Sequence, residues 1–147
     1  MKPNVKTFEI TLNRKIPASP AEAFDAWLDR TNPGTPWHGA NKLVLDPRID
    51  ALFYFLHVWE DGTEIAHYGR FTALERPNKI RYTWMSPYTR GLESIVTVTF
   101  QKKGEDTLLT LNHANLPDDE LGRMHEQGWG HYLGILEGQF VPKHAKV

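Results

Sequence analysis

Large apolar residues alternate with polar ones in several short segments of the chain. Phe8, Ile10 and Leu12 alternate with polar neighbours, and the same period-two pattern recurs in residues 80–84, 94–101 and 107–113. This is the period of a strand with one buried face. Turn residues such as those at 61–62 separate the segments, and the connections are too short for crossover helices. The pattern predicts a meander of about six antiparallel strands after residue 41, to which the N-terminal strand adds a seventh.

A short helix is predicted directly after the first strand. In the segment "SPAE", Ser19 stands at an N-cap position, Pro20 at the first helical position and Glu22 where a capping box places its carboxylate. The apolar face of this helix would carry Phe24, Trp27 and Leu28.

A single long helix is predicted from "LPDDE", with Asp118 as its cap, to about Phe140. At about 100° per residue, seven residues share one broad stripe facing the sheet. They are Leu121, His125, Trp129, Tyr132, Leu133, Leu136 and Phe140. Gly130, Gly134 and Gly138 fall on the opposite side, which indicates a solvent face or a docking surface for a partner helix. Their spacing, within an amphipathic stripe, excludes a phosphate loop.

The widths of these elements predict a cavity. Seven strands about 4.8 Å apart span roughly 30 Å, whereas one helix covers about 10–12 Å. We therefore expect an α+β fold in which the sheet curls around the long helix and leaves apolar space between them. The ligand-binding residues predicted by their parity are Tyr82, Trp84, Val96, Val98, Phe100, Leu109, Leu111, His113, His125, Trp129, Tyr132 and Leu136.

The segment "LFYFLHVW", residues 52–59, departs from the alternation because it is apolar on both faces. A loop covering the outer face would explain it, and so would a self-association surface. The second interpretation leaves a homodimer open.

Composition excludes several classes of function. The 147 residues fit one domain, 1–147 with a core at about 7–140, and contain no cysteine for disulfides or thiolate chemistry. The net charge is -1 and the longest basic cluster is Lys102-Lys103, which excludes binding to nucleic acids or anionic membranes. With no apolar leader and no run of eighteen apolar residues, we expect a cytoplasmic protein without membrane insertion.

Histidines are the candidates for chemistry. His113 and His125 both face the predicted cavity, where either imidazole would act as a catalytic base. "HEQGW" begins like a zinc-protease helix, but Trp129 stands four residues after His125, and no metal site is predicted. Ser94 faces inward without a motif that supplies a base, so no nucleophile is assigned.

Five segments resemble the START-like (SRPBCC, helix-grip) superfamily and, within it, the family of homologues of the activator of the heat-shock protein 90 ATPase. They are "IPASPAEAFDAWLD" (16–29), "GRFTALERPNKIRYTW" (69–84), "VTVTF" (96–100), "TLLTLNHANLPDDE" (107–120) and "HEQGWGHYLGILEGQF" (125–140). The chain departs from the family pattern at "TPWHGAN" and "DALF", near the expected entrance. The resemblance implies a helix-grip fold that serves lipid and polyketide binding, cyclases, resistance proteins and co-chaperones.

The sequence favours binding of a small, largely apolar molecule, with neither metal nor organic cofactor and without catalysis. One alternative is a cavity enzyme of cyclase or hydrolase type, acting on a polyketide-like or aromatic substrate with His113 or His125 as base. Another is a chaperone-associated, stress-related interaction module.

Overall fold

The computed structural model describes residues 6–144 of the chain, with side chains to residue 140. Seven strands and two helices follow one another along it, with a short 3-10 helix at Pro87–Thr89 between the fifth and sixth strands. The elements are β1 (Thr7–Ile16), α1 (Pro20–Trp27), β2 (Lys42–Val44), β3 (Leu52–Val58), β4 (Glu64–Glu75), β5 (Lys79–Trp84), β6 (Ser94–Lys103), β7 (Asp106–Pro117) and α2 (Glu120–His144).

The strands form one antiparallel sheet in the order β1-β7-β6-β5-β4-β3-β2. Strands β2 to β7 are the predicted meander, and β1 adds the seventh strand beside β7. The curved sheet, the short helix α1 and the long helix α2 confirm the predicted α+β helix-grip fold.

The start of α1 is the predicted capping box. The Ser19 hydroxyl accepts from the backbone N–H of Glu22 at 3.2 Å, and the Glu22 carboxylate accepts from the backbone N–H of Ser19 at 3.0 Å. Phe24 and Trp27 are buried, while Leu28 is the C-cap and is half-buried. The local sequence therefore fixes both where the helix begins and which face turns inward.

Helix α2 begins one residue later than predicted and extends past Phe140. Asp119, not Asp118, caps it, because the Asp119 carboxylate accepts from the backbone N–H of Gly122 at 2.8 Å. Asp118 instead accepts from the Arg123 guanidinium at 2.6 Å. Asp119 directly precedes Glu120, the first residue of the helix, and its carboxylate accepts from the third helical residue, which is the usual arrangement at an N-cap.

The predicted stripe of α2 does face the sheet. His125, Trp129, Leu133 and Leu136 are buried, and Leu121, Tyr132 and Phe140 are half-buried. A methyl group added at Gly130 or Gly138 would meet nothing within 4 Å, and one at Gly134 would meet only the Arg14 guanidinium at 4.0 Å. The glycines therefore face away from the sheet, as predicted.

The centre of the molecule is closely packed, so the space predicted beneath the whole sheet is narrower than the widths of the elements suggest. Three side chains from α1 and its following loop, Phe24, Trp27 and Trp37, enter the space that a helix alone would leave beneath the sheet. The Phe24 and Phe100 rings lie 5.5 Å apart. An apolar cavity lies toward one end of the sheet, beside β3 and β4.

Strand β3 is inward-facing at Phe53 and Phe55, which are both 1% exposed. Its other face is uneven, because Leu52 is 69% exposed while Leu56 is 7% exposed. Self-association through this strand stays a prediction.

Candidate functional site

An apolar cavity of about 260 Å³ lies between the first turns of α2 and the strands β3, β4 and β5. It is slightly smaller than the ordinary range for small-molecule sites. Its walls are Pro36, Phe55, His57, Trp59, Ile65, His67, Trp84, Tyr88, Leu121, Met124, His125, Gly128, Trp129 and Tyr132.

Strand pairing builds one wall of this cavity. His67 on β4 stands opposite Phe55 on β3, and their rings stack in parallel with centroids 4.7 Å apart. Trp84 on β5 lies beside them, with its ring centroid 4.7 Å from that of His67. Because inward-facing residues alternate along each strand, the sheet presents a continuous aromatic surface here.

The cavity opens to solvent between the end of β3 and the start of α2. Trp59 and Met124 both line it, and they remain 54% and 51% exposed. Exposed large apolar side chains often mark a site of interaction with an apolar partner.

His113 is the centre of a complete hydrogen-bond chain. The Trp129 indole N–H donates to His113 Nδ1 at 2.9 Å, and His113 Nε2 lies 2.8 Å from Ser94 Oγ. The Ser94 hydroxyl donates its proton to the Trp84 carbonyl at 2.6 Å. Ser94 Oγ must therefore accept from His113 Nε2–H, because an indole nitrogen is only a donor and a carbonyl only an acceptor. The chain fixes His113 as a neutral imidazole with both nitrogens engaged.

Burial lowers the pKa of His113 well below its usual value, and the nearby His125 and His67 lower it further. The side chain is fully buried and does not reach the cavity wall. This geometry suits a structural core residue, and a role of His113 as a catalytic base stays a prediction.

His125 presents a free nitrogen instead. Its Nδ1 lies 3.0 Å from the Gly122 carbonyl, one turn back on α2, so the proton must be on Nδ1. Burial lowers its pKa, and this outweighs the backbone hydrogen bonds, which raise it. The imidazole is therefore neutral near pH 7, and Nε2 has an unshared electron pair and no hydrogen-bond partner.

Two further residues that line the cavity each have a buried polar atom without a partner in the protein: Nδ1 of His67 and Nε1 of Trp84. Burial is the main reason that the pKa of His67 falls to about 3, with smaller effects from His125 and His57. His57 is anchored differently, since its Nε2–H donates to the Pro36 carbonyl at 3.2 Å.

The structure brings four of the twelve predicted ligand-binding residues to the cavity. These are Trp84, His125, Trp129 and Tyr132. The other eight lie in the packed interior and do not line it: Tyr82, Val96, Val98, Phe100, Leu109, Leu111, His113 and Leu136. They face inward as parity predicts, but α1 and the Trp37 loop already fill the space in front of them. Binding of a ligand by any of the twelve stays a prediction.

Sequence reasoning missed most of the wall formed by β3 and β4. A usable signal was present, because Phe55, His57 and Trp59 alternate along β3 and Ile65 and His67 alternate along β4. The apolar character of both faces in residues 52–59 hid this register.

Among the described residues, no group of three or more His, Asp or Glu side chains is arranged to hold a metal ion. In the same part of the chain, no helix combines the length and apolarity that crossing a membrane requires.

A curved seven-stranded sheet against a long C-terminal helix, with an apolar cavity between them, defines a helix-grip protein of the START-like class. Residues 17–140 match the family model described as activator of Hsp90 ATPase homolog 1-like protein, and the chain belongs to that family. Among curated proteins, none matches the chain.

Solved structures show the same fold. A protein from Rhizobium loti superimposes with a TM-score of 0.79 at 20% identity, over 92% of this chain and 98% of that one. The AHSA1 protein from Silicibacter pomeroyi gives 0.73 at 23% identity, over 93% and 100%. An Hsp90 activator from Plasmodium falciparum gives 0.71 at 22% identity, over 90% and 95%. At these identities the likeness establishes the architecture alone.

Proposed function

We propose that this protein binds a small, largely apolar molecule in the cavity between β3, β4, β5 and α2. The observation that carries the proposal is the cavity itself: about 260 Å³, walled mainly by aromatic and aliphatic side chains and open at Trp59 and Met124. A concave apolar site with a few polar atoms is the usual form of a small-molecule site.

Titration with 2-methylnaphthalene, followed by the amide and indole N–H resonances, tests this proposal. We expect saturable shifts at the indole N–H groups of Trp84 and Trp129. An absence of shifts at these two residues up to the solubility limit of the probe would refute binding in this cavity.

Two glycines of α2 provide a matched pair of variants. Gly128 lines the cavity, Gly130 does not, and a Cβ added at either meets nothing within 4 Å. Gly128→Leu should therefore occupy the cavity and abolish the shifts, whereas Gly130→Leu should leave them intact. Equal effects of the two substitutions would place binding elsewhere.

A hydrolase or cyclase acting in the same cavity is the second candidate, favoured by the free Nε2 of His125. In ester hydrolysis, His125 Nε2 would take a proton from water as the water oxygen bonds to the ester carbonyl carbon. As the C–O bond of the tetrahedral intermediate breaks, the same proton would pass from His125 to the departing oxygen, which releases the acid and the alcohol and restores the neutral imidazole. Hydrolysis of 2-naphthyl acetate that is lost in His125→Gln and retained in His113→Gln would support this function. Turnover unchanged in His125→Gln would remove the proposed base.

A chaperone-associated module is the third candidate, since the family and the Plasmodium neighbour carry the name of Hsp90 activators. Stimulation of the ATPase of purified Hsp90 by the purified chain would support it, and no stimulation at saturating concentration would contradict it.

The single-domain organisation, the cytoplasmic location and the homodimer stay predictions. Analytical sedimentation would test the homodimer by measuring the mass of the particle in solution.

A further inference from the structure

Hydrogen bonding sets the cavity apart from the rest of the interior. Among the described residues, four tryptophans are buried, and three of their indole N–H groups have acceptors. Trp27 donates to the Tyr82 hydroxyl at 3.3 Å, Trp37 to the Trp27 carbonyl at 2.8 Å, and Trp129 to His113 Nδ1 at 2.9 Å. The N–H of Trp84 has none, and Trp84 is 4% exposed.

The same contrast holds between neighbouring histidines. The rings of His113 and His125 lie 5.1 Å apart, edge to face. Both nitrogens of His113 are engaged, whereas Nε2 of His125 is buried and unpartnered in a residue 9% exposed. Buried polar groups are rarely left without a partner, and each one that is deserves a physical cause.

The two unpartnered groups have opposite character. The Trp84 indole can only donate a hydrogen bond, and His125 Nε2 can only accept one, because the proton of that imidazole is held on Nδ1 by the Gly122 carbonyl. Both residues line the cavity, and no hydrogen bond joins them to each other. A guest with one acceptor and one donor would satisfy both.

The absence of charged side chains in the described cavity wall disfavours charged ligands. Within the described part of the chain, no Asp, Glu, Lys or Arg lines the cavity. A carboxylate or an ammonium group would therefore be buried without an opposite charge, which is strongly unfavourable. The aromatic walls formed by Phe55, Trp84 and Trp129 favour a flat ring system.

We propose that the ligand is an uncharged, planar hydroxylated compound, such as a phenol or an enol, whose hydroxyl donates to His125 Nε2 and whose oxygen functions accept from Trp84 Nε1–H. This inference rests on the proposed binding function and specifies the chemical class of its ligand. His67, whose Nδ1 is also unpartnered, provides a third polar contact for a second oxygen.

Three naphthalenes of nearly equal size test the class of ligand. 2-Methylnaphthalene has no hydrogen-bonding group, 2-naphthol replaces the methyl by a hydroxyl, and 2-naphthoate carries a negative charge. We expect 2-naphthol to bind roughly three- to tenfold more tightly than 2-methylnaphthalene for each hydrogen bond formed, and 2-naphthoate to bind most weakly. Calorimetry gives the dissociation constants.

The chemical shifts of the Trp84 indole proton and the His125 Nε2 nitrogen report the two hydrogen bonds directly. 2-Naphthol, unlike 2-methylnaphthalene, should move the indole proton of Trp84 downfield and shift the Nε2 nitrogen of His125 upfield as it accepts a hydrogen bond. In His125→Phe, which keeps a ring of similar shape, the preference for 2-naphthol should fall roughly three- to tenfold while 2-methylnaphthalene still binds.

The outcomes separate the inference from the function on which it rests. If none of the three compounds binds, the proposed binding function fails. If 2-methylnaphthalene and 2-naphthol bind equally well to the unmodified protein, or 2-naphthoate binds best, the cavity binds ligands but the assignment of their class is wrong. The comparison in the unmodified chain decides this even if His125→Phe does not fold.

Discussion

Acidification between pH 6.5 and pH 5 should destabilise this fold through its buried histidines. Burial lowers the pKa values of His67, His113 and His125 in the folded state, the first to about 3. In the unfolded chain each returns to about 6.5. Below that pH the histidines bind protons in the unfolded state but stay neutral in the folded state. The free energy of unfolding must therefore fall as the pH falls.

The size of the effect follows from His67. Each pH unit between the unfolded and folded pKa values removes about 1.36 kcal/mol per proton, so the fall from pH 6.5 to pH 5 removes about 2 kcal/mol through this residue. His113 and His125 add losses of the same sign. The aspartates whose pKa values are lowered, Asp25 and Asp119 among them, start from 3.8, and their stabilisation is lost only at more acidic pH.

Urea denaturation at pH 7.5, 6.5, 5.5 and 5.0 measures this dependence. His67→Phe is the informative variant, because the imidazole stacks on Phe55 and a phenyl ring preserves that contact. It should reduce the loss between pH 6.5 and pH 5 by about 2 kcal/mol. A free energy of unfolding that is constant over this range, or a His67→Phe variant with the full loss, would refute the reasoning.

Two changes in helix α2 and one at the N-cap of α1 test the local contacts of the two helices. Gly122→Ala should destabilise the protein by about 1–3 kcal/mol, because its Cβ would lie 1.8 Å from the Pro117 carbonyl oxygen, both on rigid backbone; an unchanged melting temperature would contradict this contact. Gly130→Ala meets no atom within 4 Å and should stabilise the protein by up to about 1 kcal/mol, raising the melting temperature by about 2–4 °C; a decrease would show that this face is covered. Ser19→Ala should cost about 1 kcal/mol by removing the acceptor of the Glu22 N–H, and a neutral result in thermal unfolding would show that the cap adds nothing.

The order of strands and helices was predictable because its signals are local. Alternation along residues 80–84 and 94–101 is a property of a few neighbouring residues, and so is the capping box at Ser19. The end of the sheet that holds the cavity was not predictable in this way. It depends on Trp37, which comes from the loop after α1 and lies 5.2 Å from Phe53 and 5.9 Å from Tyr82, ring to ring. Nothing in the sequence around Trp37 shows that its side chain fills the centre of the sheet.

The chemistry of individual site residues needed the register between distant segments. Parity along β7 indicates that His113 faces inward, but its partners Ser94 and Trp129 come from β6 and α2. Whether an inward histidine is a base or a fully bonded core residue depends on those partners. Position in a strand or helix therefore selects both histidines equally and cannot separate them.

The structure separates the two histidines by their unsatisfied hydrogen bonds, since burial treats them alike. Both are buried and uncharged near neutral pH, yet His113 uses both nitrogens within the protein and His125 uses one. A fully bonded imidazole gains nothing from a ligand, because any new hydrogen bond would replace an existing one at little net benefit. A buried imidazole with one nitrogen that no protein group contacts can form an additional hydrogen bond when a donor arrives. For the proposed ligand, the hydrogen-bonding contribution to binding is therefore expected at His125 and Trp84, which both line the cavity.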